Sequence, residues 1–369
     1  DGVGVGAHEA FIPPEDCRLR FTPRSQRRDP HATHSGDNGV TRAVRAGSYT
    51  SPPAPEVVSL RVAVVFPGQG TQSPAMGGPW EGHPSWAIVE RAESALGEPL
   101  AHLLLDADAE ELARTRNSQL SVLLTSLMAW DALAPRLGRA DDIEVVAFAG
   151  HSLGQVTALV AAGTLSLDDG IRFAARRADL TQAAADAHPG RMAALLGATE
   201  EQAEKACTAA PDACWVANDN APGQIVLAGT PEGLDAALSR AKELGVRRAM
   251  SLPVGGAFHT PLMNDAAAGL EEVLRDLPLH EPTAPVSSND DAHLYGDGEG
   301  WRVRLARHVT RPVLWRGSME ALAAVGATAF FEVGNGSMIA GVAKRTVPDV
   351  AVYGIAVPEA IDTLGGART

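Results

Sequence analysis

Three cysteines in 369 residues, Cys17, Cys207 and Cys214, are too few and too scattered to staple a fold, and none belongs to a Cys-x-x-Cys pair. This excludes a disulfide scaffold and fits a reducing compartment. No apolar run approaches the roughly 18 residues that a membrane helix needs, and the polar, proline-bearing first thirty residues lack the apolar block of a secretory leader. The chain therefore reads as cytoplasmic. Basic residues are in the minority, 31 Lys and Arg against 45 Asp and Glu, for a formal net charge of -14. A general nucleic-acid binder needs a basic face to neutralise phosphates, so that class is excluded, and any anionic ligand must be met by a local patch. What is present is a hydrophobic content of 45% in a chain long enough to bury a sizeable core.

Residues 1–57 carry many Gly, Pro, Ser, His and Arg, no helical or alternating period, and the loop-like runs "IPPED" and "SPPAPE". They read as a disordered tail or linker. From Val58 the texture changes. "VSLRVAVVFPGQG" is a β-branched run that ends in a Gly-rich turn, the pattern of a buried strand delivering a loop. Helical periodicity follows over Trp86–Leu96 and Gln119–Leu137. A second apolar strand, "EVVAFAG", then runs into Gly150-His151-Ser152-Leu153-Gly154, and "LGQVTALVAAGTL" continues as an apolar helix. Residues 190–254 hold another pattern: strand "RMAALLG", a helix capped by Thr199, strands "CWVAND" and "QIVLAG", a helix from Pro231, and strand "RRAMSLPV". That βαββαβ order predicts a ferredoxin-like subdomain inserted into a larger α/β core of residues 58–189 and 255–360.

Strand, sharp turn and helix around Gly-x-Ser-x-Gly form the setting of a nucleophile elbow, in which the glycines let the serine stand clear of the sheet. A helix N-cap is the competing role for Ser152, and the five residues alone leave both open. A serine hydroxyl attacks carbonyl carbon only with a base and oxyanion donors. Of the eleven histidines, His259 in "SLPVGGAFHTPLM" is the one delivered by a strand through a Gly-Gly turn. His151 lies next to Ser152 and its side chain should diverge from it. No aspartate announces itself as partner, so a backbone carbonyl is the expected support for the imidazole. The N–H of Leu153, and that of Gln69 in the "FPGQG" loop, are the candidate oxyanion donors. The loop lacks the Gly-Lys-Ser/Thr of a phosphate loop, which argues against nucleotide binding.

Taken in order, "FPGQGTQ", "GHSLG", "GAFHT" and "VGNGSMIAG" resemble the malonyl-CoA:acyl carrier protein transacylase family, including the acyltransferase domains of polyketide synthases. The likeness spans residues 60 to 350 and implies an α/β-hydrolase-like core with the inserted subdomain. It also implies roles for individual residues. Ser152 matches the acylated nucleophile, His259 the general base, and Gln69 and Leu153 the oxyanion donors. Arg177 matches the arginine that pairs with the malonyl carboxylate, with neighbouring Arg176 as a rival because the family's usual Arg-Gly is Arg177-Ala178 here. Phe258 matches the ring that favours malonyl over methylmalonyl. His308 stands where the family often has Gln or Asn, at the residue whose backbone carbonyl orients the catalytic imidazole.

The implied reaction moves malonyl from coenzyme A to the phosphopantetheine thiol of an acyl carrier protein through a malonyl-serine ester, with no metal or bound cofactor, in a monomer. Arg302, Arg304, Arg311, Arg316, Lys344 and Arg345 are candidates for a basic rim that meets the anionic partners. A serine hydrolase or thioesterase, a transacylase for another acyl group, and a non-catalytic carrier-binding module are the alternatives.

Overall fold

The computed structural model describes residues 60–138 and 143–365, and the described residues up to Ile361 belong to one compact unit. The tail expected over residues 1–57 lies outside the described residues. Ten strands occur among them: β1 (Leu60–Phe66), β2 (Ile143–Gly150), β3 (Arg191–Leu196), β4 (Cys214–Ala221), β5 (Gln224–Gly229), β6 (Arg248–Ser251), β7 (Val286–Ser287), β8 (Leu294–Tyr295), β9 (Ala329–Val333) and β10 (Ala351–Ile355).

Six of them form one sheet in the order β10-β9-β1-β2-β7-β8, parallel except where β8 returns against β7. Val62 through Phe66 of β1 are fully buried, because helices cover both faces of a parallel sheet and leave no solvent side to alternate with. The helix Thr115–Leu137 is buried on nearly every side over its first fifteen residues. Polar Ser118 and Gln119 within that stretch must therefore find partners inside the protein, and both do so at the site described below. β1 is central and the chain departs from it toward β2 on one side and β9 on the other. In an open α/β sheet the crevice at such a reversal, beyond the carboxyl ends of the strands, is where ligands bind.

Those two strand ends are in backbone contact. His151 donates its N–H to the carbonyl of Phe66 at 3.0 Å. A methyl group at Gly68 would overlap the carbonyl of His151, and one at Gly154 would overlap that of Phe66. Close approach, more than flexibility, fixes these glycines. The helix after Ser152 is shorter than the apolar run suggests, ending at Ala161. Gly163 turns with φ 81°, and Ser166 caps a new helix, Leu167–Ala187, through the N–H of Asp169.

The other four strands make an antiparallel sheet in the order β4-β5-β3-β6. Strand alternation sends Ala193, Leu195, Ile225 and Leu227 to one face, under helices Glu200–Cys207 and Pro231–Glu243. Met192, Ala194, Val226 and Ala228 go to the other, against Ala257 and Phe258. The expected cap at Thr199 is present, forming a reciprocal capping box with Gln202, and Thr230 caps the helix that opens with Pro231. Val313 ties the two sheets together, donating its N–H to Ala217 and accepting from the N–H of Asp219, both at 2.9 Å. Among the described residues no helix is long and apolar enough to cross a membrane.

Candidate active site

Ser152 sits on the turn after β2 with φ 52°, and His259 on the turn after β6 with φ 63°. Left-handed backbone at a side-chain-bearing residue costs on the order of 1–3 kcal/mol and persists only where surrounding bonds over-determine it. At His259 the N–H donates to the carbonyl of Val309 at 3.0 Å. At Ser152 the N–H donates to Asn289 Oδ1 at 2.8 Å. A methyl at Gly150 would collide with the backbone of Gly154, so the turn closes only with both glycines in place.

The two strained residues meet through their side chains, with Ser152 Oγ 2.7 Å from His259 Nε2. The other ring nitrogen settles the direction of that bond. Nδ1 faces two carbonyl oxygens, of His308 at 3.1 Å and Arg311 at 3.2 Å. Carbonyls only accept, so Nδ1 carries the proton and Nε2 is left with its lone pair toward the serine hydroxyl. The carbonyl support expected from His308 is present, with Arg311 as a second acceptor. His259 is 5% exposed, and burial, with the positive charge of Arg177 second, pushes its pKa down to about 3. An imidazole in that state is neutral throughout the physiological range.

Arg177 reaches the same oxygen, its guanidinium donating to Ser152 Oγ at 3.1 Å and to Gln119 Oε1. Arg176, the rival, is exposed on the far face of the helix Leu167–Ala187. Arg177 is 4% exposed, its Nε has no partner, and no carboxylate pairs with it among the described residues. Desolvation lowers its pKa to about 10, so it stays cationic at neutral pH. A buried, uncompensated guanidinium is costly, and an incoming carboxylate fits its planar fork. The N–H groups of Gln69 and Leu153 donate to no other group among the described residues. The Gln69 side chain anchors its loop through Nε2 to Ser118 Oγ at 2.6 Å, and Asn335 braces the same loop by donating from Nδ2 to the Thr71 carbonyl at 2.5 Å. Phe258 is half-buried against the inner face of the antiparallel sheet.

His151 does diverge. Its Nε2 lies 2.9 Å from Asn220 Oδ1, and its ring packs edge-on to Trp315. Much of the expected basic rim is otherwise engaged. Arg302 donates to the carbonyls that end the helix Asn264–Leu274, Arg304 lies over the Tyr295 ring and pairs with Asp297, Arg316 pairs with Asp219 and Glu200, and Arg345 donates to Gln224. Compensated charges attract an acidic partner weakly, so the rim reading is corrected for Arg304 and Arg316.

Asn289 escaped sequence reasoning. It lies just past a two-residue strand in "SSND", which reads as an ordinary turn. Gln119 left a fainter signal, as an amide inside an otherwise apolar helix.

Burial holds the pKa values of His151, His259 and His308 below the ordinary 6.5. An unfolded chain would bind three protons below pH 6.5 that the folded one refuses, so stability falls with acid there. Glu332, raised to about 7 by burial although it accepts from two amides, acts in the opposite sense between its ordinary value and 7. One carboxyl does not outweigh three imidazoles. Urea midpoints should therefore decline steadily from pH 6.5 to 5; a flat profile would contradict this electrostatic reading.

The acyl transferase domain family matches residues 63–362. The malonyl CoA-acyl carrier protein transacylase of Bacillus subtilis is 35% identical over 307 residues, which cover 82% of this chain and 95% of the relative. Among solved structures, the malonyl-CoA:acyl carrier protein transacylase of Xanthomonas oryzae superposes with a TM-score of 0.77 at 37% identity, over 83% of this chain and 97% of its own. A malonyl-transacylase solved in complex with a type II polyketide synthase acyl-carrier protein superposes at 0.78 with 31% identity, over 82% and 98%. A family match across most of the chain, with the motifs gathered at one crevice, establishes that the chain belongs to the acyl transferase domain family.

Proposed function

We propose that the protein transfers a malonyl group from coenzyme A to the phosphopantetheine thiol of an acyl carrier protein, in fatty acid or polyketide synthesis. The observation that carries this reading is the buried, uncompensated Arg177 guanidinium 3.1 Å from Ser152 Oγ. It favours an acyl group that brings its own carboxylate, as malonyl does and acetyl does not.

In the first half-reaction Ser152 Oγ attacks the thioester carbonyl while His259 Nε2 takes the hydroxyl proton. The oxyanion forms against the N–H groups of Gln69 and Leu153, the C–S bond breaks, and His259 returns the proton to the departing sulfur. In the second, His259 deprotonates the carrier thiol, the sulfur attacks the malonyl-serine ester, and the C–O bond breaks with the proton restored to Oγ. The His308 carbonyl holds the imidazole tautomer through both halves. Phe258 crowds the space that an α-methyl branch would occupy. All proton transfers run between side chains and substrate, so the scheme calls for no metal or bound cofactor.

The strand orders support an α/β-hydrolase-like core with a ferredoxin-like insertion at residues 190–254. Two free cysteines, Cys207 and Cys214, fit a cytoplasmic setting, and the reading is of a monomer that engages neither nucleic acid nor membrane.

A thioesterase would use the same serine and histidine. The two separate on what happens to the ester. With malonyl-CoA and holo-carrier protein, carrier thioester should form faster than free malonate; malonate release at a rate independent of the carrier would identify a hydrolase.

A further inference from the structure

The backbone N–H of Ser152 and the imidazole of His259 are joined through His308, which is 1% exposed, and the side chain of Asn289, which is 0% exposed. Its Oδ1 accepts from the Ser152 N–H at 2.8 Å, and its Nδ2 donates to the Gly150 carbonyl at 2.9 Å. Both partners are backbone groups with one possible role each, so the orientation of the amide is fixed. Oδ1 also lies 3.1 Å from His308 Nε2. An oxygen already committed as acceptor requires a donor there, so His308 carries its proton on Nε2. His308 thus faces both ways, its side chain toward the support of the serine turn and its carbonyl toward His259 Nδ1. The Asn289 backbone is itself clamped, its N–H donating to Gln155 Oε1 at 2.8 Å and its carbonyl accepting from the Leu314 N–H at 2.7 Å.

We infer that Asn289 and the His308 side chain form a bracket that sets the distance between the Ser152 hydroxyl and the His259 imidazole, and that both are positioning residues for acyl transfer. The inference rests on the reading of Ser152 and His259 as nucleophile and base. The physical case is that both residues hold left-handed backbone, which relaxes when a restraining bond is lost. Two strained turns joined by a chain of three hydrogen bonds relax together. A misplacement of about 1 Å at a reacting pair can cost on the order of 100-fold in rate. The bracket acts on geometry and does not touch substrate, so its loss should appear in kcat while KM for malonyl-CoA stays near its wild-type value.

The test is a double-mutant cycle on the purified full chain, read as single-turnover acylation by malonyl-CoA with thermal melting alongside. His308→Leu keeps the backbone carbonyl and removes the Nε2 donor; Asn289→Leu removes the acceptor. Each should lower the acylation rate by roughly 10- to 100-fold, and the double variant should be no slower than the slower single, because both break one unit. His308→Gln, whose amide N–H can donate to Oδ1, should regain most of what His308→Leu loses. If Asn289→Leu fails to fold, the Leu and Gln variants of His308 still decide. Wild-type rates in His308→Leu, or additive losses in the cycle, would overturn the bracket while leaving the acyl-transfer reading intact. Failure of the wild-type protein to acylate would instead sink the reading on which the bracket rests.

Discussion

Ser152→Ala should abolish malonyl transfer, with a loss of roughly 10,000-fold or more in single-turnover acylation and no covalent intermediate. The size follows from what the oxygen does. It accepts from Arg177, stands 2.7 Å from a histidine nitrogen whose lone pair faces it, and is carried on a strained turn. No other described nucleophile shares that setting. His259→Ala should lose nearly as much, and the double variant little more than either single, because a nucleophile without its base and a base without its nucleophile are the same defect. Residual acylation of a few per cent in Ser152→Ala would mean that another group carries the acyl chain.

Arg177→Ala should remove most of the choice between substrates. Truncating one member of a buried, hydrogen-bonded charge pair costs about 2–5 kcal/mol, so kcat/KM for malonyl-CoA should fall by roughly 30- to 5,000-fold. Acetyl-CoA should hold steady or improve, because the wild-type pocket leaves an unpaired guanidinium beside an acetyl group and the variant does not. The expected result is the loss of most malonyl-over-acetyl discrimination, measured as competing adducts by intact mass. Equal losses for both substrates would show that Arg177 supports the fold or the serine hydroxyl and does not read a carboxylate. Gln119→Ala is a milder form of the same experiment, since the guanidinium keeps its charge and loses its anchor.

Much of this site was legible in the chain before any coordinates. Glycines at 150 and 154 announce a turn too tight for side chains, a β-branched run before them announces the strand, and the Gly-Gly turn before His259 announces a histidine held by scaffold. The order of strands and helices, with the cap at Thr199 and the helix start at Pro231, likewise marked the antiparallel sheet. What was not legible depends on distance along the chain. Asn289 works from 137 residues beyond Ser152, and nothing in "SSND" sets it apart from a solvated turn until β7 is seen beside β2. The same holds for the rim arginines: Arg316 reads as a free cation until Asp219, 97 residues away, is found against it. Arg176 stays a rival to Arg177 on sequence alone, and the helix turns Arg177 inward while leaving Arg176 exposed. Local chemistry is written in the sequence, whereas pairing between distant segments is decided by packing.

The most direct test of the central claim is to locate the acyl group. The full chain would be incubated with malonyl-CoA and no acceptor, digested, and mapped by mass spectrometry, with a second aliquot chased by holo-carrier protein. One malonyl per chain on the peptide containing Ser152, discharged by the carrier thiol, is the predicted result. Turnover without an adduct, or an adduct on any other residue, would contradict it.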